Sequence, residues 1–350
     1  MQKPSVEDQQ RIEQILEYKK KLGKELVILT HHYQRKEIVA LADYRGDSFG
    51  LSQNAAQNSD AKYIVFCGVH FMAESAAILS QPHQIVQMPD MDAGCWMADM
   101  ATTVSVQTAW DAVTDIVGEN EITPVVYMNA DAEIKAFCGR NEGIVCTSSN
   151  ARAALDWSFA RRPRVFFFPD QHLGRNTGNA MGLLPDEMVL WDPDKPLGGN
   201  TEEQIKKAKI YLWDGFCLVH TRFTPEEMTD MRRKHPDAKI VVHPECTQEV
   251  VALADAVGST SYIVKYVAEA PTGSTTVIGT EINLIDRLAQ VHPDKTVLSL
   301  KESLCPNMYK INPENLLDSL VHVGQKNVVT VPEAIKRDAK FALDRMLTLQ

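Results

Sequence analysis

Long apolar runs are missing from this chain: no stretch approaches the ~20 residues that a bilayer-spanning helix requires, so a membrane protein is not expected. Basic runs are missing too. With a formal net charge of -10 and no Lys/Arg-rich segment, an extended phosphate-binding face for nucleic acid is excluded. The first ten residues lack both the apolar core of a secretory signal and the basic, Ser-rich character of a transit peptide, so a cytoplasmic location is expected. Cysteine is sparse and scattered. There are seven, an odd number with no compact CxxC pair, which does not read as a disulfide framework in a chain of this length.

What is present is a repeat. The sequence predicts an amphipathic opening helix over 5–22, with Ser5 as its N-cap, Glu7 and Asp8 in the first turn and Gly23 as its stop. Beyond it, short β-rich runs alternate with helical stretches, the pattern of parallel α/β layers. One order of features then occurs three times. Each unit opens with a strand ending in polar residues: ELVILTHHYQ (25–34), PVVYMNADAE (124–133) and KIVVHPECTQE (239–249). A segment closing on hydroxyl residues at a helix start follows, placing Ser48, Ser148, Ser259 and Thr260 in equivalent positions. After a third strand and helix, a fourth strand runs into a loop bearing one cysteine: Cys95, Cys217 and Cys305 in turn.

The expected fold is therefore α/β: three similar αβα domains, each a three-layer unit on a parallel sheet, around a pseudo-threefold axis with the active site at the centre. The expected boundaries are 1–112 with the N-terminal helix, 113–236 with a Gly/Pro-rich insertion near 193–208, and 237–350 with C-terminal helices. Ligands of parallel sheets bind beyond the carboxyl ends of the strands, and all three cysteines and the polar motifs fall at that end.

Three thiolates suit a 4Fe-4S cluster with one iron left open for Lewis-acid chemistry. A zinc site built from the same thiolates is the competing reading. Cys67, Cys138 and Cys146 read as small core residues. Cys246, in HPEC, reads either as a supporting thiol behind the site or as an alternative ligand. The pair His243 and Glu245 in HPE joins an imidazole to a carboxylate for proton transfer. His31 and Tyr33 occupy the equivalent place in the first unit and share one strand face, with His32 on the other. Tyr127 and Asn129 alternate in the same way, and His220 follows Cys217 by three residues. The hydroxyls of Ser48, Ser148, Ser259 and Thr260 are either N-caps or donors to carboxylate and phosphate groups. Glu74, Glu281 and Asn176 stay ambiguous at this level. A zinc hydrolase or deaminase built on His243 and Glu245 lacks the PCxxC element that accompanies HxE in deaminases, and the acidic charge disfavours a cluster-based sensor that binds an operator.

Taken together, HHYQ, ADYRGDSFGLSQ, FCGVHFMAESA, YMNADAEIKA, TSSNA, FFPDQHLGRNTG, CLVH, HPEC, IGTE and LCPN resemble the quinolinate synthases over residues 31–307. The resemblance implies an enzyme of NAD biosynthesis that condenses iminoaspartate with dihydroxyacetone phosphate to quinolinate, phosphate and two waters. It also implies three αβα domains around a 4Fe-4S cluster held by Cys95, Cys217 and Cys305, the cysteines that the repeat selects. By the same matching, His31, Ser48, Tyr127, Asn129, Ser148, Ser259 and Thr260 are expected to bind substrate, and Glu245, His243, Tyr33 and His220 to carry the chemistry. An upstream enzyme supplying iminoaspartate is an expected partner. Some family members carry a CxxCxxC near the third ligand. This chain reads LCPNM there, so such a dithiol is absent.

Overall fold

The computed structural model describes residues 5–57 and 60–349, so the expectations drawn from the first four residues lie outside it. The opening helix spans Val6–Leu22; the Ser5 side chain accepts the Asp8 N–H, and Gly23 ends the helix at φ 53°. Among the described residues thirteen strands follow in three sheets. In the first unit they are β1 (Leu26–His31), β2 (Tyr44–Gly46), β3 (Tyr63–Cys67) and β4 (Ile85–Gln87). The second unit holds β5 (Ile122–Tyr127), β6 (Ile144–Cys146), β7 (Arg164–Phe168), β8 (Met188–Trp191) and β9 (Ile210–Trp213). The third holds β10 (Lys239–Val242), β11 (Ala256–Val257), β12 (Thr275–Gly279) and β13 (Thr296–Ser299).

The strand orders are β2-β1-β3-β4, β6-β5-β7-β9-β8 and β11-β10-β12-β13, with every pairing parallel. The fold is thus α/β, three parallel sheets flanked by helices, and the first and third sheets repeat one topology. The strands read as apolar runs because both faces are covered: β5 is buried from end to end, and Phe166, Phe167 and Phe168 are fully buried in β7.

Two features depart from the sequence expectation. The insertion of the second unit is larger than 193–208, because MVLW at 188–191 pairs with β9 and extends the sheet by one edge strand. Four apolar residues beside a helical turn carry no period long enough to mark a strand. The C-terminal helices, grouped by chain order with the third unit, pack on the other two. Helix Pro313–Val321 lies against the opening helix, and helix Glu333–Thr348 lies against Ala132–Arg140 and β6. Gln87 at the end of β4 donates to both the carbonyl and the hydroxyl of Ser319, and Val328 bridges to Gln87. Buried polar pairing and apolar area, not chain order, decide where those helices dock.

The docking of Glu333–Thr348 needs a glycine. A Cβ at Gly139 would overlap the Asp338 carbonyl. Gly139→Ala is expected to lower unfolding free energy by about 1–3 kcal/mol, the usual cost of overpacking, as read by urea denaturation. An unchanged midpoint would mean that the helix is not seated there.

Candidate functional site

Because every strand is parallel, the loops at the strand carboxyl ends gather, and one cavity of about 560 Å³ is lined from all three units. His31, Tyr33, Ser48 and Cys95 come from the first unit; Tyr127, Asn129, Ser148, Cys217 and His220 from the second; His243, Glu245, Thr260 and Cys305 from the third. Ser259 is the exception among the expected residues. Its hydroxyl accepts the Tyr262 N–H and caps the helix Thr260–Glu269, so the capping alternative holds there, and Thr260, one residue on, faces the cavity instead.

The H-x-Tyr and H-x-Glu motifs share a local device. His31 Nδ1 accepts the Tyr33 N–H at 3.1 Å, and His243 Nδ1 accepts the Glu245 N–H at 3.3 Å. A ring that accepts at Nδ1 is neutral and carries its proton on Nε2. Burial is the main reason that both rings stay neutral: it lowers His31 to about 4, and burial followed by the neighbouring His220 lowers His243 to about 3.

Glu245 sits at the centre of a buried network. Tyr127 donates to its Oε1, and His220 Nδ1 lies 2.6 Å from Oε2, off the axis of an aligned hydrogen bond. Burial alone raises this carboxyl, but His220 and His243 outweigh it and hold the group below the ordinary carboxylate value. The His220 and His243 rings stack with centroids 4.3 Å apart. On the far side of His220, Nε2 is 3.0 Å from the Thr280 hydroxyl, which is 2.8 Å from the Tyr33 phenol; Thr260 Oγ1 donates to that phenol at 3.0 Å. A hydrogen-bonded chain therefore runs from Thr260 through Tyr33 and Thr280 to His220, whose Nδ1 makes a close contact with the Glu245–Tyr127 pair. Burial pushes both phenols well above their usual range, so they are donors throughout the physiological window.

The three cavity cysteines are half-buried and free, whereas Cys67, Cys138, Cys146 and Cys246 are enclosed. Each cavity cysteine opens a turn. The carbonyls of Cys95, Cys217 and Cys305 accept N–H groups three or four residues on. Their sulfurs lie against the N–H groups of Met97 and Ala98, of Val219, and of Asn307 and Met308 respectively. Burial is the largest influence on all three: it pushes the Cys95 thiol up to about 12 and Cys305 to about 11, and it raises Cys217 as well, with Glu245, Cys95 and Cys305 adding to that rise.

A match to the family model described as Quinolinate synthetase A protein covers residues 13–192 and 179–348. A quinolinate synthase of Corynebacterium glutamicum is 50% identical over 340 residues, 96% of this chain and 86% of that protein. Those of Herpetosiphon aurantiacus and Geobacillus thermodenitrificans are 49% and 48% identical, each covering 95% of this chain and 90% and 91% of their own lengths. The chain belongs to the quinolinate synthase family.

Several residues in or around this cavity escaped the reading of motifs. Asp47 lines it and accepts from Ser149 Oγ at 2.8 Å and from the Gly50 N–H at 3.0 Å. Thr280 completes the polar chain. Asp47 precedes Ser48, and Thr280 precedes Glu281 in IGTE; the signal was adjacency to a flagged residue, which sequence alone cannot turn into a contact. Asn176 neither caps a turn nor lines the cavity. It donates to the carbonyls of Pro244 and Cys246 at 2.8 Å each, bracketing Glu245. Glu74 accepts the Ala132 N–H across the first and second units at 2.9 Å. Cys246 packs among Ile240, Val242 and Val250 and does not line the cavity.

His32, on the opposite strand face, makes a pH test that leaves the cavity alone. Burial, then Arg287, lowers it to about 3, against about 6.5 in an unfolded chain. Unfolding below pH 6.5 therefore takes up a proton there, and the contribution of this ring to stability, complete above that pH, is lost as pH falls toward 3. Buried Asp170 and Glu281 are raised and act in the opposite sense, so the test is a difference. Relative to His32→Asn, the wild type is expected to lose about 1.4 kcal/mol per pH unit between pH 6 and 4. Parallel stability curves for the two proteins would place a charged His32 in the native state.

Proposed function

We propose that this chain condenses iminoaspartate with dihydroxyacetone phosphate to give quinolinate, phosphate and two waters, and that a 4Fe-4S cluster held by Cys95, Cys217 and Cys305 serves the reaction. The observation that carries the reading is the meeting, in one cavity, of three half-buried thiols from three units with a buried carboxylate, imidazole and phenol network. The donor set fits such a group: three soft thiolate ligands, backbone N–H groups against each sulfur, and no fourth cysteine in the lining. When bound, the cluster supplies an open, Lewis-acidic iron to a reaction that involves no net redox change.

The chain's own residues do the rest. A cavity of about 560 Å³ accommodates both small substrates and sets them side by side. The Nε2–H groups of His31 and His243, the hydroxyls of Ser48, Ser148 and Thr260, and the amide of Asn129 bind carboxylate and phosphate oxygens. Asn129 Oδ1 is buried with no partner of its own among the described residues, and such an unpaired acceptor suits an imine N–H or a hydroxyl of a substrate, while the Asn129 NH2 is the group that meets an anionic oxygen. Glu245 moves protons between carbon and oxygen, with Tyr127 holding Oε1 and His220 at Oε2. The Tyr33–Thr280–His220 chain carries a proton to or from that centre. Aromatisation also needs water kept out, and apolar Phe71, Met72, Trp96 and Leu304 in the lining serve that end.

A second reading rests on Cys217, His220 and Glu245, whose ligand atoms all lie within 4.8 Å of one another, as a mononuclear zinc site requires. Anaerobic purification with metal and sulfide analysis separates the two. The cluster reading expects brown protein with about four irons and four sulfides per chain and quinolinate formed from the two precursors; colourless protein with one zinc overturns it. In cluster-loaded Glu245→Gln, turnover is expected to fall at least ~100-fold. Turnover within about threefold of wild type would remove Glu245 from its role.

We further place the protein in the cytoplasm, where thiols stay reduced and an upstream enzyme supplies the unstable imine. Among the described residues no helix is long and apolar enough to cross a membrane.

A further inference from the structure

The three units anchor their cysteine loops by one shared hydrogen bond. In each, the helix after the third strand donates its first N–H to the carbonyl two residues ahead of the cysteine: His70 to Ala93 at 2.8 Å, Gln171 to Gly215 at 2.9 Å and Ile282 to Ser303 at 2.9 Å. The residues just before those helices differ. Val69 stands in the first unit, Asp170 in the second and Glu281 in the third.

Both carboxylates cap their helices. Asp170 Oδ1 accepts the Leu173 N–H at 2.7 Å, and Glu281 Oε2 accepts the Asn283 N–H at 2.8 Å. Capping alone does not explain them. Ser, Thr or Asn caps as well, and a carboxylate with no solvent exposure, as both are, is a costly choice unless further donors meet it. One further donor is common to both units, the N–H of the unit's own cysteine. Glu281 Oε1 accepts from the Asn283 side-chain amide at 2.9 Å and from the Cys305 N–H at 3.4 Å, and the Cys217 N–H lies near the Asp170 carboxyl, whose Oδ2 has no aligned hydrogen-bond partner among the described residues.

We propose that Asp170 and Glu281 are positioning residues. Each reaches from a helix N-terminus to the backbone N–H of its own unit's cysteine, and so fixes the direction in which Cys217 and Cys305 present their sulfurs to the cavity. Cys95 has no such carboxylate. The first unit instead relies on the shared backbone bond and on the short helix Trp96–Asp99 that Cys95 itself caps. The proposal rests on the reading of these cysteines as ligands, but its geometry can be tested without a cluster.

Fragment-resolved hydrogen exchange on wild-type protein is expected to show the Cys217 and Cys305 amides protected at least tenfold over the Cys95 amide. In Asp170→Ser, which keeps a capping hydroxyl but loses the reach, Cys217 exchange is expected to accelerate at least tenfold with Cys305 unchanged. Glu281→Ser should show the reverse, and Asp170→Asn should restore protection. Cluster loss to an iron chelator, followed by visible absorption, should run at least threefold faster in either Ser variant. It should match wild type in Thr201→Ala, which removes the cap of the helix Glu202–Lys207, no residue of which lines the cavity. Equal exchange at all three cysteines in the wild type overturns the proposal even if neither Ser variant folds, as does wild-type exchange and cluster retention in both of them. A wild type with the expected exchange pattern but without iron and sulfide supports the positioning and overturns the cluster reading alone.

Discussion

Parallel pairing in all three sheets is the constraint from which the rest follows. A parallel strand must be reached by a crossover, so every unit returns its chain across a helix and leaves its polar loops at the carboxyl edge. Three such edges brought together put cysteines from far-separated loops onto one cavity. The lining of that cavity is largely apolar, so the polar and ionisable side chains that reach it are mostly buried.

That burial sets the electrostatics. In an apolar surround a neutral imidazole is favoured over a charged one and a thiol over a thiolate. His31 and His243 are lowered and the three cavity thiols raised. Glu245 runs against this trend because Tyr127, His220 and His243 close around it. A carboxylate fixed by the Tyr127 phenol beside two buried imidazoles is a centre set in place by the fold itself.

The site also depends on ties between units. Tyr127 of the second unit bonds Glu245 of the third, and Tyr33 of the first bonds Thr260 and Thr280 of the third. Asp47 of the first meets Ser149 of the second. Behind the cavity, Lys135 donates to the Phe71 and Ala130 carbonyls across the first and second units, while Asn176 holds both carbonyls beside Glu245. The helices Pro313–Val321 and Glu333–Thr348 add a mechanical tie, packing on the first and second units after the third is complete. These contacts bind the walls of the cavity to one another, so its shape is a property of the whole chain.

The sequence by itself determined the α/β class, the threefold order of features and the loop position of the cysteines, because apolar strand runs, hydroxyl-bearing helix starts and strand-end polar motifs are local patterns of short period. It also determined which face of each opening strand carries chemistry, since alternation alone sets His31 and Tyr33 apart from His32. Only the tertiary structure decided that Thr260 and not Ser259 faces the cavity, that Asp47 joins it, that Thr280 links Tyr33 to His220 behind it, that Cys246 does not line it, and that the last helices dock on the first two units. Each of these turns on which side chain meets a partner from another unit, and such a meeting depends on packing between segments that no local period connects.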